Sequence, residues 1–268
     1  MIPGLPPAST AAKKTGMESG LKHVLSKVPE VTLIFWLIKI AATTLGETGG
    51  DAVSMSMNLG YLVGTAIFAV IFIGAVLVQI FAKKFHPAIY WTTIVATTTV
   101  GTTLADYADR SLGIGYAGGA TLLLGLLLLS LFAWYRNAGS IAVDTVNTPR
   151  TEIFYWVTIL FSQTLGTALG DWVADTADLG YLGGAAIFAA LLALVALLHF
   201  KTRLSRPVLF WAAFILTRPL GAVLGDFLDK PLSHGGLAIS RYTASLVLLA
   251  LMAVLVWRFP QRAAQKGH

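Results

Sequence analysis

The sequence predicts an all-α polytopic membrane protein, with eight transmembrane helices arranged as four parallel two-helix repeats. Three observations predict it. The 268 residues are 56% hydrophobic and 12% charged, about half the charge of a soluble domain. The mean hydropathy is +0.74, and apolar runs long enough to cross a bilayer recur throughout. The chain also aligns to itself. Four segments open on an aromatic-Trp pair, Phe35-Trp36, Tyr90-Trp91, Tyr155-Trp156 and Phe210-Trp211, and these set a common register.

Counted from each Trp, without a gap, ten residues on stand Gly46, Gly101, Gly166 and Gly221. Fourteen on are Gly50, Ala105, Gly170 and Gly225, and fifteen on are Asp51, Asp106, Asp171 and Asp226. Twenty-four on are Gly60, Gly115, Gly180 and Gly235, followed by Tyr61, Tyr116, Tyr181 and then Gly236. Successive tryptophans lie 55, 65 and 55 residues apart, so ten extra residues near Asn137 to Asn147 divide the chain into two pairs. The resulting division is a polar tail (1–28), repeat 1 (29–85), repeat 2 (86–136), a linker (137–149), repeat 3 (150–205), repeat 4 (206–259) and a second tail (260–268).

Each repeat reads as two spans. The odd helices are expected near 31–51, 88–108, 153–174 and 208–227, and the even ones near 61–82, 116–135, 181–199 and 239–257. Pro29, Pro87 and Pro207 stand where three odd helices enter, a position at which a missing N–H costs nothing. The first 28 residues, with Lys13, Lys14, Lys22 and Lys27, have no apolar core and read as a retained polar tail.

Orientation follows from charge. The tails and the even-to-odd loops hold 14 of the 19 Lys and Arg, whereas the opposite side holds three, Arg110, Lys230 and Arg241. The positive-inside rule then places both termini in the cytoplasm. Topology accounts for the net charge of +6, so no nucleic-acid partner is expected. The lipid bilayer is the expected partner, and the sequence sets no oligomeric state. The absence of cysteine excludes disulfides and thiolate metal sites, and no cofactor is expected.

Repeats of two spans all point one way and are related by an axis along the membrane normal. The small residues at Trp+10 and Trp+14 (Gly46, Gly50, Gly101, Gly166, Gly170, Gly221, Gly225) form a close-packing face on the odd helices. A polar stripe runs beside it, since residues four apart stack on a helix. Repeat 1 gives Lys39, Thr43, Glu47 and Asp51, and repeat 2 gives Thr98, Thr102 and Asp106, with Asp109 beyond. Repeat 3 gives Gln163, Thr167 and Asp171, then Asp175 and Asp178, and repeat 4 gives Arg218, Ala222 and Asp226, then Asp229. A lipid-facing surface does not repeat such side chains, so the stripe faces inward.

The aspartates fall at the outer ends of the odd helices, as an entry ring. Lys39, Glu47 and Arg218 lie deeper and break the fourfold pattern. Ionisable groups at that depth are costly and usually paired or functional, and Glu47 is expected to pair with Arg218 or Lys39 as a gate or coupling site. Carboxylates joined by Thr and Gln oxygens are ligands for hard cations, and Glu47, Asp51, Asp171 and Asp226 are the candidate metal set. Clustered carboxylates also raise one another's pKa, which suits proton exchange.

With Trp36, Trp91, Trp156, Trp211 and their Gly/Asp pattern, the chain resembles a bacterial membrane-protein family of four tandem repeats of unknown function. Each of that family's repeats has two transmembrane regions and a characteristic tryptophan. The resemblance covers about 28–259 and implies the architecture and a multi-pass place in the bacterial inner membrane, but no activity. Repeat 4 departs most, with Arg218-Pro219 in place of a polar pair and Gly236 in place of Tyr. Glu47-Thr48-Gly49-Gly50-Asp51 is similar to the Glu-x-Gly-Asp-Lys/Arg motif of cation/proton exchangers, with one extra residue and no following base.

The function expected is a transporter or channel-like carrier of a small cation, such as Mn²⁺ or Mg²⁺, with proton coupling. The alternative is a non-transporting membrane scaffold or sensor. No enzyme is expected. Ala168-Leu169-Gly170-Asp171 lacks the first glycine of an intramembrane aspartyl protease, and there is no serine elbow or nucleotide loop.

Overall fold

The computed structural model describes residues 26–176 and 179–265, with only the backbone of 175 and 176. Lys13, Lys14, Lys22, Asp178 and the side chain of Asp175 therefore lie outside the described residues. Eight α-helices follow one another: α1 (Leu33–Asp51), α2 (Gly60–Phe81), α3 (Pro87–Asp106), α4 (Tyr116–Ala138), α5 (Pro149–Asp171), α6 (Gly180–Lys201), α7 (Arg206–Asp229) and α8 (Arg241–Arg258).

The helix starts have local causes. Pro87 opens α3 and Pro207 lies in the first turn of α7, where the missing donor leaves no bond broken. Pro29 does not play that part. Thr32 caps α1 by accepting from the Phe35 N–H, and Pro29 lies upstream in a short extended pairing with Ala263. Helix α5 starts four residues earlier than the expected 153, because Thr148 and Thr151 form a reciprocal cap around Pro149.

Each of α1, α3 and α5 ends on its repeat aspartate and continues as a five-residue π-helical turn, Ala52–Ser56, Tyr107–Ser111 and Trp172–Thr176. Helix α7 has no such turn and stays α-helical to Asp229. The turn into each even helix uses the Trp+24 glycine in a left-handed conformation, with φ of 77° at Gly60, 74° at Gly115, 63° at Gly180 and 80° at Gly235. Only glycine adopts this conformation without strain, which explains its place in all four repeats.

The odd helices close into a ring, α1 against α3, α3 against α5, α5 against α7 and α7 against α1. Each even helix packs outside on the odd helix of the following repeat: α2 on α3, α4 on α5, α6 on α7 and α8 on α1. Within the ring, the Trp+7 side chain of each odd helix lies over the Trp+10 glycine of its neighbour. Thr98 covers Gly46, Gln163 covers Gly101, Arg218 covers Gly166 and Thr43 covers Gly221, each where an added methyl would collide. One level up, Thr102 covers Gly50, Ala222 covers Gly170 and Glu47 covers Gly225. Glycine lets the backbones of neighbouring odd helices approach closely.

The outer surface is apolar, with exposed Leu62, Val70, Leu128, Phe132, Leu182, Leu197, Leu246 and Val247 on the even helices. Among the described residues, six helices, α2 and α4 to α8, are long and apolar enough to cross a membrane. Such a surface needs hydrocarbon around it, and the chain is a membrane protein. Helices α1 and α3 differ because their polar faces, with Lys39, Glu47 and Asp51 on α1 and a series of threonines on α3, dilute their hydropathy.

The end bearing the tryptophans is closed by irregular chain. Glu30 N–H bonds Arg262 at 2.8 Å and Ala264 N–H bonds Val28 at 2.8 Å, while Lys27 pairs with buried Glu152 at 2.7 Å. Trp91 donates its indole N–H to Gln261 at 2.7 Å and Trp211 to the Ile141 carbonyl at 3.0 Å. The two contacts join equivalent positions, one through a side-chain oxygen and the other through a backbone carbonyl: positions 91 and 211, like 141 and 261, differ by 120 residues, as do 36 and 156. The ring is thus two related halves as well as four related repeats.

Candidate functional site

Because every odd helix runs the same way, like positions of the four repeats meet in layers along the axis. The first layer is an aromatic girdle. Each Trp packs, tilted or edge-on, against the aromatic residue preceding the Trp of an adjacent odd helix, with centroid separations of 5.4 Å (Phe35–Trp91), 5.8 Å (Tyr90–Trp156), 6.1 Å (Tyr155–Trp211) and 5.8 Å (Phe210–Trp36). Tyr90 and Tyr155 share a 2.7 Å hydrogen bond between their hydroxyls. The next layer is Ile94, Ile159, Phe214 and Lys39, all fully buried. The Lys39 ammonium sits 4.1 Å over the Phe214 ring and 3.4 Å from the Thr217 hydroxyl, and among the described residues it forms no salt bridge.

Above lies the central pair. Arg218 comes from the Trp+7 layer and reaches up beside Ala222, where a small side chain leaves room. Its Nη2 is 3.0 Å from Glu47 Oε2, donates to Thr102 at 2.6 Å and also donates to Thr167. Thr102 in turn donates to Glu47 at 3.3 Å. One guanidinium nitrogen therefore ties α7 to the other three odd helices. Arg218 is fully buried and Glu47 is 3% exposed. Of the two partners expected for Glu47, Arg218 makes the contact, and Lys39 lies two turns away on the same helix.

Asp51, Asp106, Asp171 and Asp226 then form a ring, but not an open one. All four are buried and bridged by two cations that the sequence placed in outer loops. Arg110 contacts Asp106 at 3.0 Å and Asp171 at 3.1 Å. Lys230 contacts Asp51 at 2.7 Å and Asp226 at 3.0 Å. Positions 110 and 230 are again 120 apart, so the bridges are equivalent in the two halves. Arg241 adds contacts to Asp229 at 3.1 Å and to Asp51 at 3.6 Å. Burial alone would lower the Lys230 ammonium, but Asp226, Asp51 and Asp229 outweigh it and hold its pKa above the usual range. Asp106 and Asp171 outweigh burial in the same way at Arg110.

Six carboxylates (Glu47, Asp51, Asp106, Asp171, Asp226, Asp229) thus meet four cations (Arg110, Arg218, Lys230, Arg241), an excess of two negative charges. One oxygen each of Glu47, Asp171 and Asp226 lies within 4.8 Å of the other two, and the same holds for Asp51, Asp226 and Asp229. The second group surrounds Lys230 and Arg241, and each member of the first is itself paired, Glu47 with Arg218, Asp171 with Arg110 and Asp226 with Lys230. The first spans three odd helices on the axis and suits a hard cation, or protons, between its oxygens. Among the described residues, the Thr98 hydroxyl, both ends of the Gln163 carboxamide, Arg218 Nε and Nη1, Asp51 Oδ1 and Asp106 Oδ2 are buried without a protein hydrogen-bond partner. Thr43 does not share that state, because its hydroxyl bonds carbonyls of its own helix and of Thr217.

Arg110, Lys230 and Arg241 were missed as axis residues. The signal for the first two was present, since Asp106–Arg110 and Asp226–Lys230 are both i,i+4 pairs at equivalent positions.

A family model described as Repeat of Unknown Function (DUF347) matches the chain four times, at residues 34–85, 89–140, 154–205 and 209–262. Comparison with curated proteins and with solved structures gave no match.

Proposed function

The chain belongs to the family of the Repeat of Unknown Function (DUF347), and on the chemistry of its axis we propose that it carries a small cation, a divalent metal or protons in exchange for it, across the membrane. The observation that supports this reading is the excess of two carboxylates, six against four cations, in a buried network. Uncompensated negative charge inside a membrane protein is costly, so the network takes up protons or a cation. Glu47, Asp171 and Asp226 are the residues assigned to hold it, with Asp51 and Asp106 as the adjoining acceptors. A proton gradient then drives the cation by competition for the same oxygens.

In this reading all eight helices span a bacterial inner membrane, α1 and α3 shielded by the rest, with both termini in the cytoplasm. Arg218 is the gate. It occupies the axis between the carboxylates and the aromatic girdle, and movement away from Glu47 opens the way inward. Thr98, Thr102, Gln163 and Thr167 line that way, Lys39 is the last charge before the girdle, and no chemical reaction is assigned. The competing reading is a non-transporting scaffold whose charges only fix helix order, and the two bridges by Arg110 and Lys230 favour it.

Flux into proteoliposomes separates the two. Mn²⁺ and Mg²⁺ uptake is measured with and without a pH gradient for the wild type and for Glu47→Gln. Gradient-dependent uptake that is lost in the variant is expected. No uptake of either ion under any gradient, or uptake indifferent to Glu47→Gln, would overturn the proposal.

A further inference from the structure

The outer surface carries one feature that the axis does not use, a groove of about 370 Å³ between α2, α3 and α8. Its floor is α3, from Ala88 to Thr99, a run of ~16 Å at the helical rise. Phe68 and Ile71 of α2 form one wall, and Leu249 and Met252 of α8 form the other.

The repeat register shows why it forms here. At Trp−3, Trp+1 and Trp+5, α3 carries Ala88, Thr92 and Ala96, all small. The same positions hold Leu33, Leu37 and Ala41 in α1, Ile153, Val157 and Phe161 in α5, and Val208, Ala212 and Leu216 in α7. The side chains that would fill the groove are absent from one helix of four.

The end of the groove nearest Ala88 is marked as the headgroup level. Phe81 at the end of α2 is 78% exposed and Trp257 at the end of α8 is 86% exposed, the placement of interfacial aromatics. Exposed Lys83 and Lys84 follow the first and exposed Arg258 follows the second. An apolar slot thus runs toward the end of the molecule at which three exposed cations stand at or just beyond the ends of α2 and α8.

The geometry points to a bound anionic phospholipid, one acyl chain lying in the groove on α3 and the phosphate held by Lys83, Lys84 and Arg258. The site is independent of transport, since it rests only on the membrane setting. It presses on α3, the helix that also carries Thr98, Thr102 and Asp106.

The test is native mass spectrometry of the full chain, delipidated in mild detergent and titrated with phosphatidylglycerol or phosphatidylcholine of identical acyl chains. One tightly retained phosphatidylglycerol per chain is expected. Neutralising Lys83, Lys84 and Arg258 to Gln should weaken it roughly fivefold per charge removed and abolish the preference over phosphatidylcholine. These residues are exposed, so folding is unaffected. Ala88→Leu with Thr92→Leu, which copies Leu33 and Leu37 of the first repeat, should remove the bound lipid at unchanged melting temperature. Equal retention of phosphatidylcholine, a preference that survives neutralisation, or a lipid still held after the groove is filled would each overturn the site and leave annular lipid only.

Discussion

Replacing Arg218 by Met removes a group that joins all four odd helices, while its aliphatic stem stays packed over Gly166. Glu47 is 3% exposed, so water cannot take over the 3.0 Å ion pair. The network then sets six carboxylates against three cations, and the excess rises from two to three. Removing one member of a buried ion pair costs about 3–5 kcal/mol, whereas removing both leaves no buried charge behind. Arg218→Met should therefore destabilise by about that amount, and adding Glu47→Gln should restore much of it. The coupling in the double-mutant cycle is expected to approach 3 kcal/mol. Reversible unfolding in mixed micelles, followed by tryptophan fluorescence, measures it. A coupling below about 0.5 kcal/mol would mean that Arg218 and Glu47 do not depend on each other, and the central pair would lose its assigned role.

Gly221→Ala places a methyl against Thr43 of the neighbouring helix and should cost about 1–3 kcal/mol by overpacking. Gly125→Ala on α4, where nothing lies within 4 Å of the added methyl, should instead stabilise by about 0.5–1 kcal/mol; equal effects in a thermal-melt comparison would contradict the glycine packing. At Asp109, in the turn after α3, burial raises the carboxyl pKa against the opposing pull of Arg110. The raised folded value means that its contribution is present below the unfolded pKa and is lost as pH rises through the folded one. The melting temperature of Asp109→Asn should therefore rise relative to the wild type's from pH 4 to pH 8, and a relative fall over that range would refute the assignment.

The repeat unit was legible because its parts have physical causes that act within one helix. The Trp+24 glycine must take a positive φ, and the Trp+10 glycine must admit a neighbour. The polar stripe from Lys39 to Asp51 cannot face lipid. What was not legible lies between helices. Nothing in the spacing says that α2 leans on α3 rather than on α1, because short turns permit either. Arg110 and Lys230 read as loop charges, since the π-turn that swings Arg110 back over Asp171 has no signature in residue type. The aspartates were expected as an open entry ring for the same reason: their depth along each helix was readable, but the cations closing over them come from adjoining segments. Pro29 was misplaced because a proline in extended chain looks like one at a helix entry until the cap at Thr32 is seen.

The placement of α8 on α1 has a consequence for how the chain is made. In the proposed eight-span topology helix α1 enters the membrane carrying Lys39 and Glu47, yet the arginine that meets Glu47 is 171 residues further on. At ribosomal rates of about 5–20 residues per second, roughly 10–35 s separate the two. Through that interval the first repeat is an unpaired charge in a half-built ring, and the helix that covers its outer face is the last to emerge. Assembly is therefore settled by the final repeat, and a chain cut short before α8 leaves its earliest helix as the exposed one.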